Sequence, residues 1–480
     1  MKTPTRRAPS DQHKHKPPAK FGSGAGESRE PAEASAAVSG RPGRLEQALS
    51  YGWRALPYVL AAAAGILGFS SAGSTNRVRA NLAQSRILPT TSTSHAIRGI
   101  HLSYESIDQL QKLLADGVFS YASDRKKAAG RALGTLVELV TYYVLCAWNL
   151  RDHIVIERSV PEFANDDIVH NVEFSLHPVR ARYNIRFDAP YVPLSTAKIK
   201  RKLPAIDGVS FRNEQVLKSN GLRRNSAVIA KTSESVIVAD IDNARLDHCV
   251  TTICDLGIQP FAIVECKRVG VEEGMTKGPQ TIEKAKQGAY VSRSVSSMQK
   301  IRRRNGQLYG VIERADGQFD TGPYAELLRS IIECGTAEEL DNFILTVGVV
   351  SNHGNWFTAG DQNKELKVLA QSYDWLLFLT DEGLCEFIGT ALLGRGPEFE
   401  PVRRAFQASY PRGSGPNRFT KVNIDLAADQ VLQQYFRDIG NDIDTWFNVI
   451  SPEDALLPEL RTDLGKLALR THPNSKDAAI

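Results

Sequence analysis

The sequence predicts an α/β protein in which a mixed central β-sheet is flanked by helices. Two observations support this fold class. Short apolar runs that do not alternate with polar residues, such as Phe261–Val264, are typical of strands buried on both faces of a sheet. Along the chain these runs follow segments of helical periodicity in the order helix, strands, helix, strand, helix, strand. That order favours a sheet covered by helices.

The clearest helix is predicted over residues 123–148. Asp124 is a suitable N-terminal cap, because its carboxylate can accept a hydrogen bond from the first helical turn. Apolar residues then recur at helical spacing and define one core stripe: Leu133, Leu136, Val137, Val140, Tyr143, Val144 and Ala147. Glu138 lies beside this stripe, so a carboxylate is expected at the edge of the core.

Extended segments dominate the middle of the chain. Val179–Phe187 alternates in polarity, which predicts a strand with Arg180, Arg182 and Arg186 on one face. The other predicted strands are residues 235–239, 245–253, 260–266, 308–313, 343–350 and 375–379. The other predicted helices are residues 279–303 and 364–371, and helical additions are predicted over 400–470.

Four regions are expected along the chain. Residues 1–43 form a basic tail without hydrophobic periodicity, which is typical of disorder. Residues 44–120 are predicted to be a helical N-terminal region. Residues 121–395 are the α/β core, with an insertion at about 151–230, and residues 396–480 are a helical C-terminal region.

Composition is that of an ordinary globular protein. A formal net charge of +5 permits a polyanionic partner without requiring one. The six cysteines form no CxxC pair, which disfavours structural zinc and predicts reduced thiols in a cytoplasmic protein. No secretory signal is visible. The uncharged segment between Arg54 and Arg77 is rich in alanine, serine and glycine, so a buried or partner-facing helix is favoured over a membrane span.

The chemistry is expected where two predicted strands meet. The segment Asp255–Pro260 contains turn-forming glycine and proline between the strands 245–253 and 260–266, which predicts a β-hairpin. Antiparallel pairing about this turn places Asp247 within a few residues of Glu265 and Lys267. Since side chains alternate along a strand, Glu265 and Lys267 project on the same side.

The hairpin also discriminates among the other aspartates. Asp255 lies in the turn, roughly 16 Å from the level of Glu265 at the usual rise per residue, which is too far to share a metal ion. Asp240 and Asp242 remain alternatives as outer groups, because the strand register before Asn243 is open.

Two carboxylates and a lysine suit metal-assisted phosphodiester cleavage. Mg²⁺ prefers oxygen ligands and is held by one or two carboxylates plus substrate phosphates. The predicted metal ligands are Asp247, Glu265 and the backbone carbonyl of Cys266. A bound ion lowers the pKa of its water, and the Lys267 ammonium is expected to orient that water or help deprotonate it.

These residues resemble the signature of the PD-(D/E)XK nucleases. Asp247, followed after a turn by Glu265-Cys266-Lys267 (the ExK segment), looks like the Asp, Glu and Lys that carry catalysis in that family. The proline of the signature is absent, since Leu246 precedes Asp247. The resemblance covers about 124–380 and implies a restriction-endonuclease-like core, with Glu138 as the acidic residue on the helix before the sheet.

Basic residues follow the ExK segment closely. Residues 265–304 contain ten basic and four acidic residues, an excess that suits phosphate binding. The candidate nucleic-acid contacts are Arg268, Lys277, Lys286, Arg293, Asn352, His353, Arg180 and Arg182. The alternative for each is an ordinary solvated face. For Asn352 and His353 that face is a tight surface turn, and for Arg302–Arg304 it is the end of a helix.

Together these features predict a Mg²⁺-dependent endonuclease that cuts double-stranded DNA at specific sequences. The sequence shows one nuclease centre without ATPase or methyltransferase motifs, surrounded by large additions, which favours a type II restriction enzyme. Palindromic cutting would require a homodimer, and a companion DNA methyltransferase is expected genetically. The alternatives are a structure-specific repair or recombination nuclease and a non-catalytic DNA-binding protein.

Overall fold

A six-stranded mixed sheet (the central sheet) carries the ExK segment. The computed structural model describes residues 107–164, 171–206, 208–269, 280–314, 316–335, 340, 343–352, 364–409, 417–470 and 476–477. Elements are numbered in chain order. In spatial order the central sheet consists of β1 (Ile154–Ser159), β2 (Asn171–Leu176), β11 (Ala262–Val269), β15 (Leu345–Asn352), β16 (Trp375–Leu379) and β18 (Phe447–Ser451). The neighbours β11, β15 and β16 are parallel, and the remaining pairs are antiparallel.

A second six-stranded sheet is formed mostly by the chain between β2 and β11. Its spatial order is β19 (Lys476–Asp477), β3 (Val179–Asp188), β10 (His248–Gly257), β9 (Ser235–Ala244), β8 (Ala227–Lys231) and β5 (Ser210–Phe211). The smaller sheets are β12 (Gln299–Arg302), β13 (Leu308–Glu313) and β14 (Phe319–Pro323), and β17 (Asn423–Asp425), β7 (Leu222–Arg224), β6 (Gln215–Leu217) and β4 (Leu194–Ser195). The described part of the chain is therefore a mixed α/β structure with several sheets.

Helices lie along the central sheet and around its C-terminal strands. They are α1 (Ile107–Asp116), α2 (Arg125–Ala147), α3 (Thr196–Lys200), α4 (Gln280–Val295), α5 (Tyr324–Cys334), α6 (Lys364–Ser372), α7 (Asp381–Phe387), α8 (Glu400–Ala408), α9 (Leu426–Ile439) and α10 (Leu457–Arg470). Short 3-10 or π segments occur at Arg151–His153, Pro161–Phe163, Ile388–Leu393, Pro397–Phe399 and Gly440–Trp446.

The central sheet is packed between α2 and α4. Val264 and Cys266 of β11 belong to the main hydrophobic core together with α2. Ile263, on the opposite side of the strand, packs with Val291 and Val295 of α4. Because successive side chains of a strand point to opposite faces, this division shows that both faces of β11 are covered. The apolar run in the sequence reflects that double burial.

Several predicted elements are confirmed. α2 begins after Asp124, whose carboxylate accepts a hydrogen bond from the backbone N–H of Lys127 at 2.9 Å. The predicted core stripe of α2 is buried apart from Ala147, which is partly exposed and packs against the core. β3 is a strand whose arginines occupy its exposed face, and β16 has the predicted bounds.

Other elements differ from prediction. The helix expected over 279–303 ends at Val295, and residues 299–302 are strand β12. The chain then turns tightly through Arg303–Gly306, where Gly306 has φ +86°, and returns as β13. Glycine tolerates this left-handed conformation, so a turn is stable where a basic helix end was expected. The C-terminal region is not wholly helical, since β17 and β18 interrupt it.

The central sheet also draws strands from outside the expected core. β1 and β2 come from residues 151–230, which were expected to be an insertion, and β18 comes from the C-terminal region. Residues 1–106, including the tail and the uncharged segment after Arg54, lie outside the described residues. Within the described ranges, no helix is both long and apolar enough to cross a bilayer. All six cysteines are free thiols.

Candidate active site

Asp247 lies apart from the ExK segment, which corrects the predicted hairpin. β10 pairs with β3 and β9, whereas β11 pairs with β2 and β15, so the strands on either side of Asp255–Pro260 belong to different sheets. Asp247 instead lies in the turn between β9 and β10 with its side chain 71% exposed. Its pKa is lowered by a hydrogen bond from His248. The predicted metal ligand set therefore loses Asp247.

Asp240 and Asp242 form ion pairs with arginines outside the ExK segment. Asp240 forms buried ion pairs with Arg151 and Arg223. Burial alone would raise the pKa of Asp240, but these two guanidinium groups outweigh it and hold the pKa at about 2. Asp242 pairs with Arg151 at 3.2 Å and accepts a hydrogen bond from Thr252. Both aspartates belong to the polar network of the second sheet.

The carboxylate beside Glu265 is that of Glu173, on strand β2. The antiparallel ladder between β2 and β11 pairs Phe174 with Val264. Continuing this register by one residue places Glu173 opposite Glu265, on adjacent strands. The hydrogen-bonded pairing of β2 with β11 ends at Val264, so the two glutamates face each other where the ladder ends.

Lys267 bridges these two glutamates. Its Nζ lies 3.1 Å from Glu265 Oε2 and 3.3 Å from Glu173 Oε1. The Glu265 side chain is fully buried, whereas that of Lys267 is 23% exposed and reaches toward solvent. The predicted association of Glu265 with Lys267 is present, with Glu173 as the second carboxylate.

A third glutamate, Glu157, lies beside Glu173 on the neighbouring strand β1. Glu157 on β1 stands opposite Glu173, since its neighbours Ile156 and Arg158 pair with Phe174 and Val172. Its backbone has φ +52°, a left-handed conformation that is strained for a residue with a side chain. β1, β2 and β11 thus contribute one glutamate each to a row across the sheet.

Glu138 of α2 completes this group through Lys421. The Lys421 Nζ lies 3.0 Å from Glu138 Oε2 and 3.5 Å from Glu157 Oε1, and it also contacts Glu173 Oε2. Glu138 therefore lies with the glutamates of the sheet. We call Glu138, Glu157, Glu173 and Glu265 the glutamate cluster.

Two glycines allow close packing around Glu265. A Cβ on Gly288 of α4 would lie 2.8 Å from Tyr373 Oη and 3.1 Å from Glu265 Cγ. A Cβ on Gly348 of β15 would lie 2.8 Å from the Tyr373 ring. Burial and the neighbouring Glu265 carboxylate raise the pKa of Tyr373, which keeps its hydroxyl protonated. Glu265 is therefore fixed between a helix and a tyrosine ring.

Cys266 points its side chain to the face of β11 opposite Glu265 and Lys267. Its thiol is buried on the α2 side next to Thr141, and burial raises its pKa well above the usual value. The thiol is thus a neutral core group. The predicted role of Cys266 concerned its backbone carbonyl, and that role stays a prediction.

Comparisons of this chain with protein-family models, with curated proteins and with solved structures find no match.

The predicted nucleic-acid contacts are scattered. Arg268 donates to Gly130 O at 3.1 Å and to Gln111 Oε1 at 2.9 Å, so it fastens α1 and α2 to the central sheet. Arg182 forms an ion pair with Asp152 at 2.9 Å, and Arg180 one with Glu234 at 3.6 Å. These arginines already have protein partners, which weakens the case for phosphate contact.

The remaining candidates lie nearer to α4 and β15. Arg293 is exposed in the last turn of α4. Lys286 is within α4 and Asn352 ends β15, but their side chains are outside the described set. Lys277 and His353 lie outside the described residues.

The glutamate cluster fits a divalent metal ion in its chemistry. Its donors are carboxylate oxygens, the ligands that Mg²⁺ prefers. Four carboxylates outnumber the two ammonium groups of Lys267 and Lys421, so the cluster carries a net negative charge. Among the residues that the structure describes, no group of three or more His, Cys, Asp or Glu side chains is arranged to hold a metal ion. The ammonium groups of Lys267 and Lys421 offset part of this negative charge.

Sequence reasoning missed Glu173, Glu157 and Lys421. Glu173 lies between Val172 and Phe174, so an acidic residue within an apolar strand was the available signal. The expected insertion over residues 151–230 placed Glu173 outside the predicted core and therefore outside the predicted site. For Lys421 the sequence offers no local signal, because its partners lie far away along the chain.

Proposed function

We propose that this chain is a Mg²⁺-dependent nuclease of the PD-(D/E)XK type that cleaves double-stranded DNA. The observation that carries the proposal is the position of Glu173 opposite Glu265 with the Lys267 ammonium between them. Glu173 takes the role that the sequence assigned to Asp247. It departs from the family signature as Asp247 did, since Val172 and not proline precedes it, and its side chain is one methylene longer than aspartate.

Each residue of the centre has a distinct part in this chemistry. Mg²⁺ bound by such carboxylates lowers the pKa of a coordinated water and neutralises charge on the scissile phosphate. Glu265, which packs closely against Gly288, would be a rigid ligand for the ion. Lys267 is partly exposed, so its ammonium can meet a phosphate or an attacking water from the solvent side. Glu138 and Glu157 add negative charge that favours cation binding.

The order of elements supports the same proposal. The elements around the centre occur along the chain in the order helix α2, antiparallel strands β1 and β2, ExK strand β11, helix α4 and strand β15. This order suits a restriction-endonuclease-like core, in which a helix precedes the sheet and another follows the ExK strand. The second sheet lies in sequence between β2 and β11 as a large addition.

A basic hairpin supports DNA as the substrate. Arg302, Arg303 and Arg304 lie at the exposed turn between β12 and β13, directly after α4 in the chain. Arg303 stacks on the Tyr309 ring at 3.7 Å, which holds one guanidinium in place. A narrow basic hairpin suits contact with phosphates along a duplex groove.

We propose further that cleavage is sequence-specific, as in a type II restriction enzyme that acts as a homodimer beside a companion methyltransferase. The test is digestion of a long, fully sequenced duplex by the purified full chain with Mg²⁺, followed by mapping of the ends. Discrete fragments with one shared end sequence are expected. Preferential cutting of branched or nicked DNA would instead support a structure-specific nuclease. Full binding of duplex without cleavage under Mg²⁺ or Mn²⁺ would support a non-catalytic DNA-binding protein.

A further inference from the structure

Lys421 reaches the glutamate cluster from a distant part of the chain. It lies just before β17, between α8 and α9, whereas its carboxylate partners come from α2, β1 and β2. The Lys421 side chain is only 4% exposed, and its Nζ also lies 5.8 Å from the centre of the Phe174 ring. A buried ammonium is costly unless it is paired, so these contacts hold the charge in place.

The backbone at Lys421 is fixed independently of the cluster. Asn225 Nδ2 donates to the Lys421 carbonyl at 2.9 Å, and the Asn225 N–H donates to Val422 O at 2.9 Å. Thr420 Oγ1 accepts from the Asn423 N–H at 2.9 Å. Because the backbone is held, withdrawal of the ammonium would have to come from the rotatable bonds of the long side chain.

The two oxygens of Glu173 are held by two different lysines. Oε1 faces Lys267 and Oε2 faces Lys421. A metal ion that binds Glu173 therefore competes with one of these ammonium groups for the same carboxylate charge. Lys267 is also held by the buried Glu265, with which it forms the ExK pair. The other partners of Lys421 are Glu138 and Glu157, both more exposed than Glu265.

We propose that Lys421 is an internal counter-ion that occupies the glutamate cluster until a divalent cation displaces its ammonium from Glu173. This inference rests on the proposed function, because it concerns how that same site is loaded. In the absence of the ion, Lys421 and Lys267 together offset half of the negative charge of the four carboxylates. The displacement of Lys421 makes metal binding weaker than the carboxylates alone would give, and ties the loading of the site to the β17 segment.

The first test is the affinity for Mn²⁺, measured by titration calorimetry on the full chain without DNA. Lys421→Met removes the competing charge, so Mn²⁺ should bind at least about tenfold more tightly than to the wild-type chain. Lys421→Arg keeps the charge and should not tighten binding. Lys300→Met is the matched control, because Lys300 is a buried lysine that pairs with Asp374 and donates to the Tyr373 carbonyl, and it contacts none of the four glutamates in the described contacts. An affinity of Lys421→Met that equals or falls below the wild-type value overturns the inference.

The second test uses the wild-type chain and does not depend on a variant that folds. Acylation of lysine side chains, followed by mass spectrometry, reports whether Lys421 is accessible. Without metal Lys421 should react slowly, and saturating Mn²⁺ should accelerate its reaction several-fold while Lys300 stays unchanged. Calorimetric binding of Mn²⁺ with no change at Lys421 overturns the inference but leaves the proposed function standing. If neither the wild-type chain nor Lys421→Met binds Mn²⁺, the proposed function fails and the inference falls with it.

Discussion

Gly348 lies directly beside Glu265 in the parallel ladder between β15 and β11, and its missing side chain makes room for the ring of Tyr373. The ring in turn packs near Gly288, which contacts Glu265 from α4. Three chain segments thus pack closely at one carboxylate, with no room for a Cβ on either glycine. The position of Glu265 depends on this packing as much as on its own strand.

Replacement of Gly348 by alanine should therefore damage the centre. The new Cβ would lie 2.8 to 3.0 Å from atoms of the Tyr373 ring, so ring or strand must shift, at a cost of about 1–3 kcal/mol. Cleavage should fall more than the loss of stability explains, because Glu265 moves with its strand. Urea unfolding and a cleavage assay on the same preparation measure the two effects.

The control for this prediction is Gly134→Ala in α2. Its Cβ would meet nothing within 4 Å, so the variant should be as active as the wild-type chain and up to about 1 kcal/mol more stable. Equal activity of Gly348→Ala and Gly134→Ala would show that packing around Glu265 does not position it.

Opposite effects on cleavage are expected for substitutions of Glu173 and of Asp247. Glu173→Gln removes a charge next to Lys267, so cleavage should drop at least about a hundredfold while duplex binding in Ca²⁺ changes little. Asp247→Asn, at an exposed turn, should cleave like the wild-type chain. Lys267→Ala should likewise abolish cleavage and leave binding nearly intact. Loss of activity in Asp247→Asn with full activity in Glu173→Gln would contradict the role of Glu173 and support Asp247 as the second carboxylate of the centre.

His177 should make stability depend on pH. It is fully buried at the end of β2, where its ring nitrogens bond to Gly257 O and to Ser175 Oγ, both at 2.8 Å. Burial is the main cause that lowers its pKa from 6.5 to about 3. Between about pH 3 and pH 6.5 the unfolded chain therefore binds a proton at His177 that the folded chain does not bind. Stability is intact above pH 6.5 and falls as the pH drops toward 3, by at most about 1.4 kcal/mol per pH unit.

The measurement is the free energy of unfolding in urea between pH 5 and pH 7, for the wild-type chain and for His177→Gln. The variant is less stable throughout but should lose stability more slowly as the pH falls, because the proton uptake of the unfolded state is gone. Parallel curves for the two proteins would rule out His177 as the group responsible.

The basic hairpin should contribute to DNA affinity through charge. Arg303→Ala and Arg304→Ala should weaken duplex binding at all sequences alike and lower the slope of log K against log salt by about 0.9 per lost phosphate contact. Arg314→Ala, in the next turn of the same sheet, is the control, because Arg314 pairs with Asp316 and Asp320. Fluorescence anisotropy at several salt concentrations measures both. An unchanged slope would exclude the hairpin from the interface.

Much of the local structure was legible in the sequence. The cap at Asp124, the stripe of α2, the apolar strand before Glu265 and the bounds of β16 all follow from short-range rules of helix capping and side-chain periodicity. Glu265 and Lys267 were also found, because charges that end a doubly buried strand stand out in any sequence. Their separation by one residue places them together in every strand geometry.

Strand pairing was the part that the sequence did not decide. Two consecutive extended runs around Gly257 and Pro260 fit a hairpin, yet the chain crosses between sheets there, and β11 pairs with β2 from about ninety residues earlier. Periodicity states which residues face a core, but not which strand supplies the neighbouring edge. The prediction of Asp247 depended on that pairing. The helix expected through Arg303 ends at Val295, and the chain forms strand β12 before the turn that Gly306 permits.

By itself the sequence determined the α/β class, the ExK segment and the helices around it, because these depend on residues close together in the chain. Only the tertiary structure decided that Glu173, Glu157 and Lys421 join the predicted Glu138 beside that segment. The physical reason is that long-range strand pairing and helix packing assemble such a cluster. Because these contacts join residues far apart in the chain, they produce no periodic pattern within any one segment of sequence.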